Sequence, residues 1–142
     1  MGLCKCLTVF PQAAGRWAAE HTVLLAKIRQ LLRVLQVAQA AEGLRREAPR
    51  DALRKARAKG RLAPRRNPTE KAFVRRAVRL VDGAFPDRGN CYRRVLMTCM
   101  VDPDAAATPV VFGLSPTLAP DSGHAWLEGE EAPTSYPLRI QL

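Results

Sequence analysis

Every strand-like run in this chain lies after Pro103, and that asymmetry decides the fold class. Upstream, apolar residues recur at three- and four-residue spacing between Pro and Gly punctuation, the helical period. Downstream, Pro109 to Leu114 is β-branched and bounded by turn residues. His124 to Glu128 resumes as a strand, Gly129 turns, and Tyr136 to Leu142 returns antiparallel. Helices first and a small antiparallel sheet last make an α+β domain.

Four helices are expected. The first, Trp17 to Glu42, carries Val23, Leu24, Ile28, Leu31, Leu32 and Leu35 on one face and Lys27, Arg29, Gln30, Arg33 and Gln36 on the other. The favoured reading is a long packing helix; the sharper one is a docking helix for a partner or an anionic membrane. Its three cations exclude a bilayer span, which needs about 20 residues with few charges. The segment 43–66 reads as a basic connector, a solvated linker with one short helix from Asp51 to Lys59. Asn67 caps a third helix with Pro68 at its first position, running through Phe73, Val74, Ala77, Val78 and Val81 to Gly83. A turn over Pro86 to Gly89 follows, and Asn90 caps the fourth helix, Cys91 to Met100. This divides the chain into a helical, basic lead-in (1–66) and a core (67–142).

Charge narrows the function classes. The net charge is +10, from 23 Lys and Arg against 13 Asp and Glu, with the cations concentrated in 45–66 and the last 23 residues holding Asp121, Glu128, Glu130 and Glu131 against Arg139 alone. A nucleic-acid binder needs stacking aromatics or a reader motif beside such charge, and neither is present. The four cysteines give no zinc pattern: Cys4 and Cys6 have no downstream complement, and Cys91 and Cys99 lack ligand spacing. No metal, cofactor or signal peptide is expected, and the thiols are read as reduced and cytoplasmic.

The chemistry resides in two residues. Cys91 follows a cap residue at a helix start, where unpaired amides and the positive dipole end stabilise a thiolate nucleophile. His124 opens a strand after Gly123 and is the candidate base; His21 belongs to the first helix. A helix-start Cys facing a strand-start His across a helix-on-sheet interface is the papain-like arrangement. Each residue alone has an ordinary structural reading, since free Cys is more often core than nucleophile. Cys99 fits that core role.

The order G-N-C-Y-R-R-V-L, P-V-V-F-G-L, G-H-A-W-L-E-G resembles the transglutaminase-like cysteine proteases of lasso-peptide maturation, in particular their stand-alone B2 form. The resemblance covers about residues 70–131. It matches Cys91 to the nucleophile, Arg94 to the helix Arg, Gly113 to the strand-end Gly and His124-Ala125-Trp126 to the base motif. It implies a leader peptidase that acts on a ribosomally made precursor peptide. A winged-helix leader-recognition protein would work with it in trans, and a separate ATP-dependent cyclase would close the ring. The 17–42 helix or the basic 45–66 segment would then be a docking surface. One departure stands out: the family has an Asp on the strand after the His motif, and this chain has none after Asp121. A tight hairpin at Gly129 would instead bring Thr134, Ser135 or Tyr136 opposite His124, with Glu130 and Glu131 solvated at the turn. Three rival readings stand beside the peptidase: an acyl-transfer enzyme, a catalytically weakened scaffold, and a basic nucleic-acid-binding protein.

Overall fold

The computed structural model describes residues 12–87, 89–114, 123–130 and 136–142, with side chains from residue 21 onward. Cys4, Cys6, the loop 115–122, Arg88 within the Pro86–Gly89 turn, Glu131, Thr134 and Ser135 lie outside the described residues. The chain divides between Gln30 and Leu31 into two compact units.

Five helices precede a three-stranded sheet: α1 (Gln12–Leu44), α2 (Pro49–Arg61), α3 (Pro68–Gly83), α4 (Cys91–Val101), α5 (Pro103–Ala107), then β1 (Val110–Leu114), β2 (His124–Leu127) and β3 (Leu138–Gln141). The α+β class expected from the sequence is thus observed, with helix predominating.

Local chemistry sets the helix starts. Asn67 and Glu70 form a reciprocal capping box on α3, with Glu70 N donating to Asn67 Oδ1 at 2.9 Å and Asn67 N to Glu70 Oε2 at 3.1 Å. Asn90 Oδ1 accepts from Arg93 N at 2.9 Å and starts α4. The short α5 was not anticipated. Its signals were present: Asp102 accepts from Asp104 N, Pro103 takes the first position, and Ala105 to Ala107 follow.

Two expectations are corrected. The aliphatic face of α1 is not its packing face: Leu24, Ile28, Leu31, Leu32 and Leu35 are exposed, while Val34, Ala38 and Ala41 are buried. These smaller residues lie on an adjacent stripe, and the C-terminal turns of the helix join the core through them. The connector 43–66 is likewise not a linker. Its helix α2 buries Ala52, Leu53, Ala56 and Gly60 and packs on α4 and α5. Arg57 reaches from it to Thr108 O and Leu142 O, both at 3.1 Å, and ties the helix to the ends of α5 and β3.

The contact between α2 and α4 is close at one point. A Cβ built on Gly60 would lie 1.8 Å from Cys99 O and 2.8 Å from Ala106 Cβ, so hydrogen is the largest group that fits. Gly60→Ala is therefore expected to destabilise the fold by about 1–3 kcal/mol despite its better helix propensity. A urea midpoint at or above wild type would refute that packing.

The sheet order is β2-β1-β3, all antiparallel. β3 therefore does not return on β2 as the expected hairpin would have it; it pairs with the other edge of β1, Phe112 opposite Ile140. The reason is that the outer edge of β2 is already occupied. Trp126 and His124 pair with Val111 and Gly113, so Ala125 and Leu127 direct their amides away from β1. Ala125 N donates to Cys91 Sγ at 3.3 Å and Leu127 N to Glu130 Oε2 at 3.4 Å. The turn at Gly129 is present, with φ +84°, but it folds Glu130 back onto β2 and leads into no hairpin.

Candidate active site

Cys91 stands at the first position of α4, half-buried, and α4 packs its length against β2. Two anchors fix this helix end. Tyr92 donates to Pro49 O at 3.2 Å and tilts against Phe112, with ring centroids 5.4 Å apart. Burial pushes the Tyr92 phenol up to about 12, so it remains a donor. The second anchor is Arg93, whose side chain is fully buried. It donates to Asp82 Oδ1 (2.8 Å), Asp87 Oδ1 (2.7 Å) and Glu42 Oε2 (3.1 Å), with its guanidinium 4.0 Å from the centre of the Phe85 ring. The sequence reading singled out Arg94, by resemblance, as the helix Arg. In the structure Arg93 is the buried one, while Arg94 is 40% exposed and meets Asp82 Oδ2 through Nε and Nη2 at 3.2 and 3.0 Å.

The surroundings of the Cys91 sulfur are polar. The amide of Ala125 donates to it, and Gly123 O lies 3.8 Å away on the acceptor side. Together with the positive dipole end of α4, the Ala125 N–H presents partial positive charge to the sulfur.

His124 opens β2 opposite Gly113. Its ring stacks on Tyr136, centroids 5.3 Å apart and planes 19° apart, and tilts against Trp126 at 5.8 Å. Gly113 makes this cover possible. A Cβ there would fall 2.7 Å from both Tyr136 Cβ and the Trp126 ring, so a side chain would displace the aromatic layer. Burial, and secondarily the Arg94 charge, holds the imidazole below the ordinary histidine value and favours its neutral, proton-accepting form. Among the described residues no carboxylate hydrogen-bonds the ring.

Both residues open onto one small polar cavity of about 130 Å³, shared with Arg94, Thr98, Trp126 and Glu130. The two sequence-predicted site residues thus line one cavity, with no direct hydrogen bond between sulfur and imidazole. Glu130, expected as a solvated turn charge, lines this cavity, and so does Thr98, to which no role was assigned above. Thr98 carried a usable signal, since it falls on the Cys91 face of α4 two turns further on. The other cysteine of that helix, Cys99, is core as expected: it is fully buried, and burial pushes its thiol up to about 11. Among the described residues no helix is long and apolar enough to cross a membrane.

No family model, curated protein or solved structure matches the chain.

Proposed function

We propose that the chain is a cysteine peptidase of papain-like, transglutaminase-like type that removes the leader from a ribosomally made precursor in lasso-peptide maturation. The observation that carries the chemical part of this reading is the seating of Cys91 Sγ at a helix start, 3.3 Å from a donating amide, on the cavity that His124 also lines. The substrate part rests on the motif resemblance around Cys91, Gly113 and His124.

In this mechanism Cys91 Sγ attacks the scissile carbonyl carbon and its proton passes to His124. First-turn amides of α4 hold the oxyanion. The imidazolium gives its proton to the leaving amine as the C–N bond breaks, leaving a thioester on Cys91. Water then loses a proton to His124, attacks the thioester and releases the leader carboxylate and the thiol. A leader-recognition protein of winged-helix type would bring the precursor in trans, in the cytoplasm, and an ATP-dependent cyclase would act on the product. Leu31, Leu32 and Leu35, exposed on α1, offer an apolar surface to such a partner.

That no carboxylate among the described residues hydrogen-bonds His124 favours a second reading, a scaffold with residual or no turnover. Alkylation separates the two. At about pH 6.5, where a free thiol is mostly protonated, iodoacetamide should label Cys91 ahead of Cys99 and the N-terminal pair, and His124→Ala should slow that labelling. Equal, slow labelling of every accessible cysteine would leave the scaffold.

A further inference from the structure

Among the described residues no carboxylate holds the His124 imidazole in a productive plane, and another group can do so. A side chain whose last torsion joins a ring to an sp³ carbon has a broad rotational preference, so an unsupported imidazole swings. The geometry points to Tyr136 as the positioning residue of His124: its ring is a fixed plate that sets the plane of the base and supplies a π face to the imidazolium formed during proton transfer. This rests on the reading of His124 as the base.

Three observations make Tyr136 a plate and not merely a neighbour. Its backbone is restricted, because the residue before a proline, here Pro137, is confined to extended conformations. Its carbonyl is held by Arg139 Nε at 3.3 Å, which latches it to β3. Beneath it lies Gly113, the one position of β1 where a missing Cβ lets the Tyr136 side chain approach the sheet beside Trp126. Trp126, with the Arg139 guanidinium 5.7 Å from its ring centre, closes the other side of the cluster 6.4 Å from Tyr136. Near-parallel rings at 5.3 Å lie within the range of offset stacking.

The stack also suits the charge changes of the reaction. Among the described residues, the groups around His124 are Cys91 and Arg94 from α4, Glu130 from the turn after β2, and Tyr136 and, through Trp126, Arg139 from the β3 side. Arg94 opposes a second positive charge, and Glu130 is engaged with Leu127 N. An aromatic face attracts a cation without competing for a ring nitrogen.

The test compares wild type, Tyr136→Phe, Tyr136→Leu and His124→Ala in the rate of Cys91 alkylation by iodoacetamide, and follows the His124 ring protons by NMR with a blocked histidine peptide as reference. Tyr136→Phe keeps the plate and should label within about twofold of wild type, while Tyr136→Leu should label about tenfold or more slowly, the scale of a misplaced catalytic group. In wild type and Tyr136→Phe the His124 ring signals should lie upfield of those of the peptide, shifted by the Tyr136 ring. They should move back towards the peptide values in Tyr136→Leu. Leu labelling at the wild-type rate would overturn the inference, and so would Phe labelling as slowly as Leu, which would assign the role to the hydroxyl. Should Tyr136→Leu not fold, an unshifted His124 signal in wild type alone overturns the stack. If His124→Ala labels as fast as wild type, it is the functional reading that fails, whatever the ring signals show.

Discussion

Arg93→Met should remove about 3–5 kcal/mol of stability, the scale for breaking a buried ion pair from one side. Arg93 and Asp82 are both 0% exposed, and Arg93 contributes a donor to each of three carboxylates. Methionine fills much of the space but leaves Asp82 buried with Arg94 as its remaining ion-pair partner. A domain with a total stability of about 5–15 kcal/mol would lose a large part of it. The pair need not be net stabilising to be costly to halve, so Asp82→Leu combined with Arg93→Met should recover part of the loss. The measurement is the shift in urea midpoint for the two single variants and the double. A loss below about 1 kcal/mol for Arg93→Met, the size of a surface ion pair, would mean that the network does not hold α4 in place.

This network matters for the site because of where Arg93 sits. It is two residues beyond Cys91, and it joins the start of α4 to Glu42 on α1, to Asp82 on α3 and to Asp87 in the turn between. Three segments of the chain therefore hold the helix start that carries Cys91. The Arg93 hydrogen bond, against a smaller cost of burial, also holds the Asp87 carboxyl below its ordinary value.

His124→Ala should lower the rate of thioester formation on Cys91 by about 10²–10⁴-fold, the ordinary contribution of a positioned base. The pH profile carries further information. Burial, and then Arg94, lowers the His124 value from 6.5, so the neutral base persists as pH falls through 6.5 and the wild-type rate should decline only below that point. The His124→Ala variant should lack this acid limb. A wild-type limb centred at or above 6.5 would contradict the buried, Arg94-facing imidazole. A variant rate within about threefold of wild type would remove His124 from the mechanism, since a positioned base is worth at least about 10².

Much of the helical half was legible because its signals are local. Asn67 with Glu70, Pro68 and Asn90 each act within one turn, and the structure uses them as caps. The features missed are those set by distant partners. Spacing alone assigned the Leu24–Leu35 face of α1 to the core. Burial instead chose Val34, Ala38 and Ala41, small enough for close packing, a choice made by the neighbours and invisible in the helical period. The segment 43–66 read as a linker because its cations outnumber its apolar residues, yet Ala52, Leu53 and Ala56 at three- and four-residue spacing were enough to seat it. Composition hid a stripe that spacing contained.

The site divides along the same line. Cys91 and His124 were legible because a capped helix start and a strand start are local features, and the structure places both on one cavity. The strand order was not, because nothing in the sequence says that the Cys91 sulfur would take the edge amide of Ala125 and leave β3 to pair with β1. Tyr136 was named as a residue that a hairpin would bring opposite His124. It does meet His124, but from the segment just ahead of β3 and across Gly113, with its ring against the imidazole. Arg93 was passed over for its neighbour, since two adjacent arginines on a helix carry no mark of which one is buried.

The most direct test of a covalent thiol mechanism is to trap its intermediate. The protein would be mixed with p-nitrophenyl acetate, quenched in acid and mapped by mass spectrometry. The account predicts an acetyl thioester on Cys91 that forms rapidly and decays with time, is absent in Cys91→Ala and forms far more slowly in His124→Ala. Finding no acetyl group on Cys91 in wild type, or the same slow acetylation in wild type and His124→Ala, would contradict it.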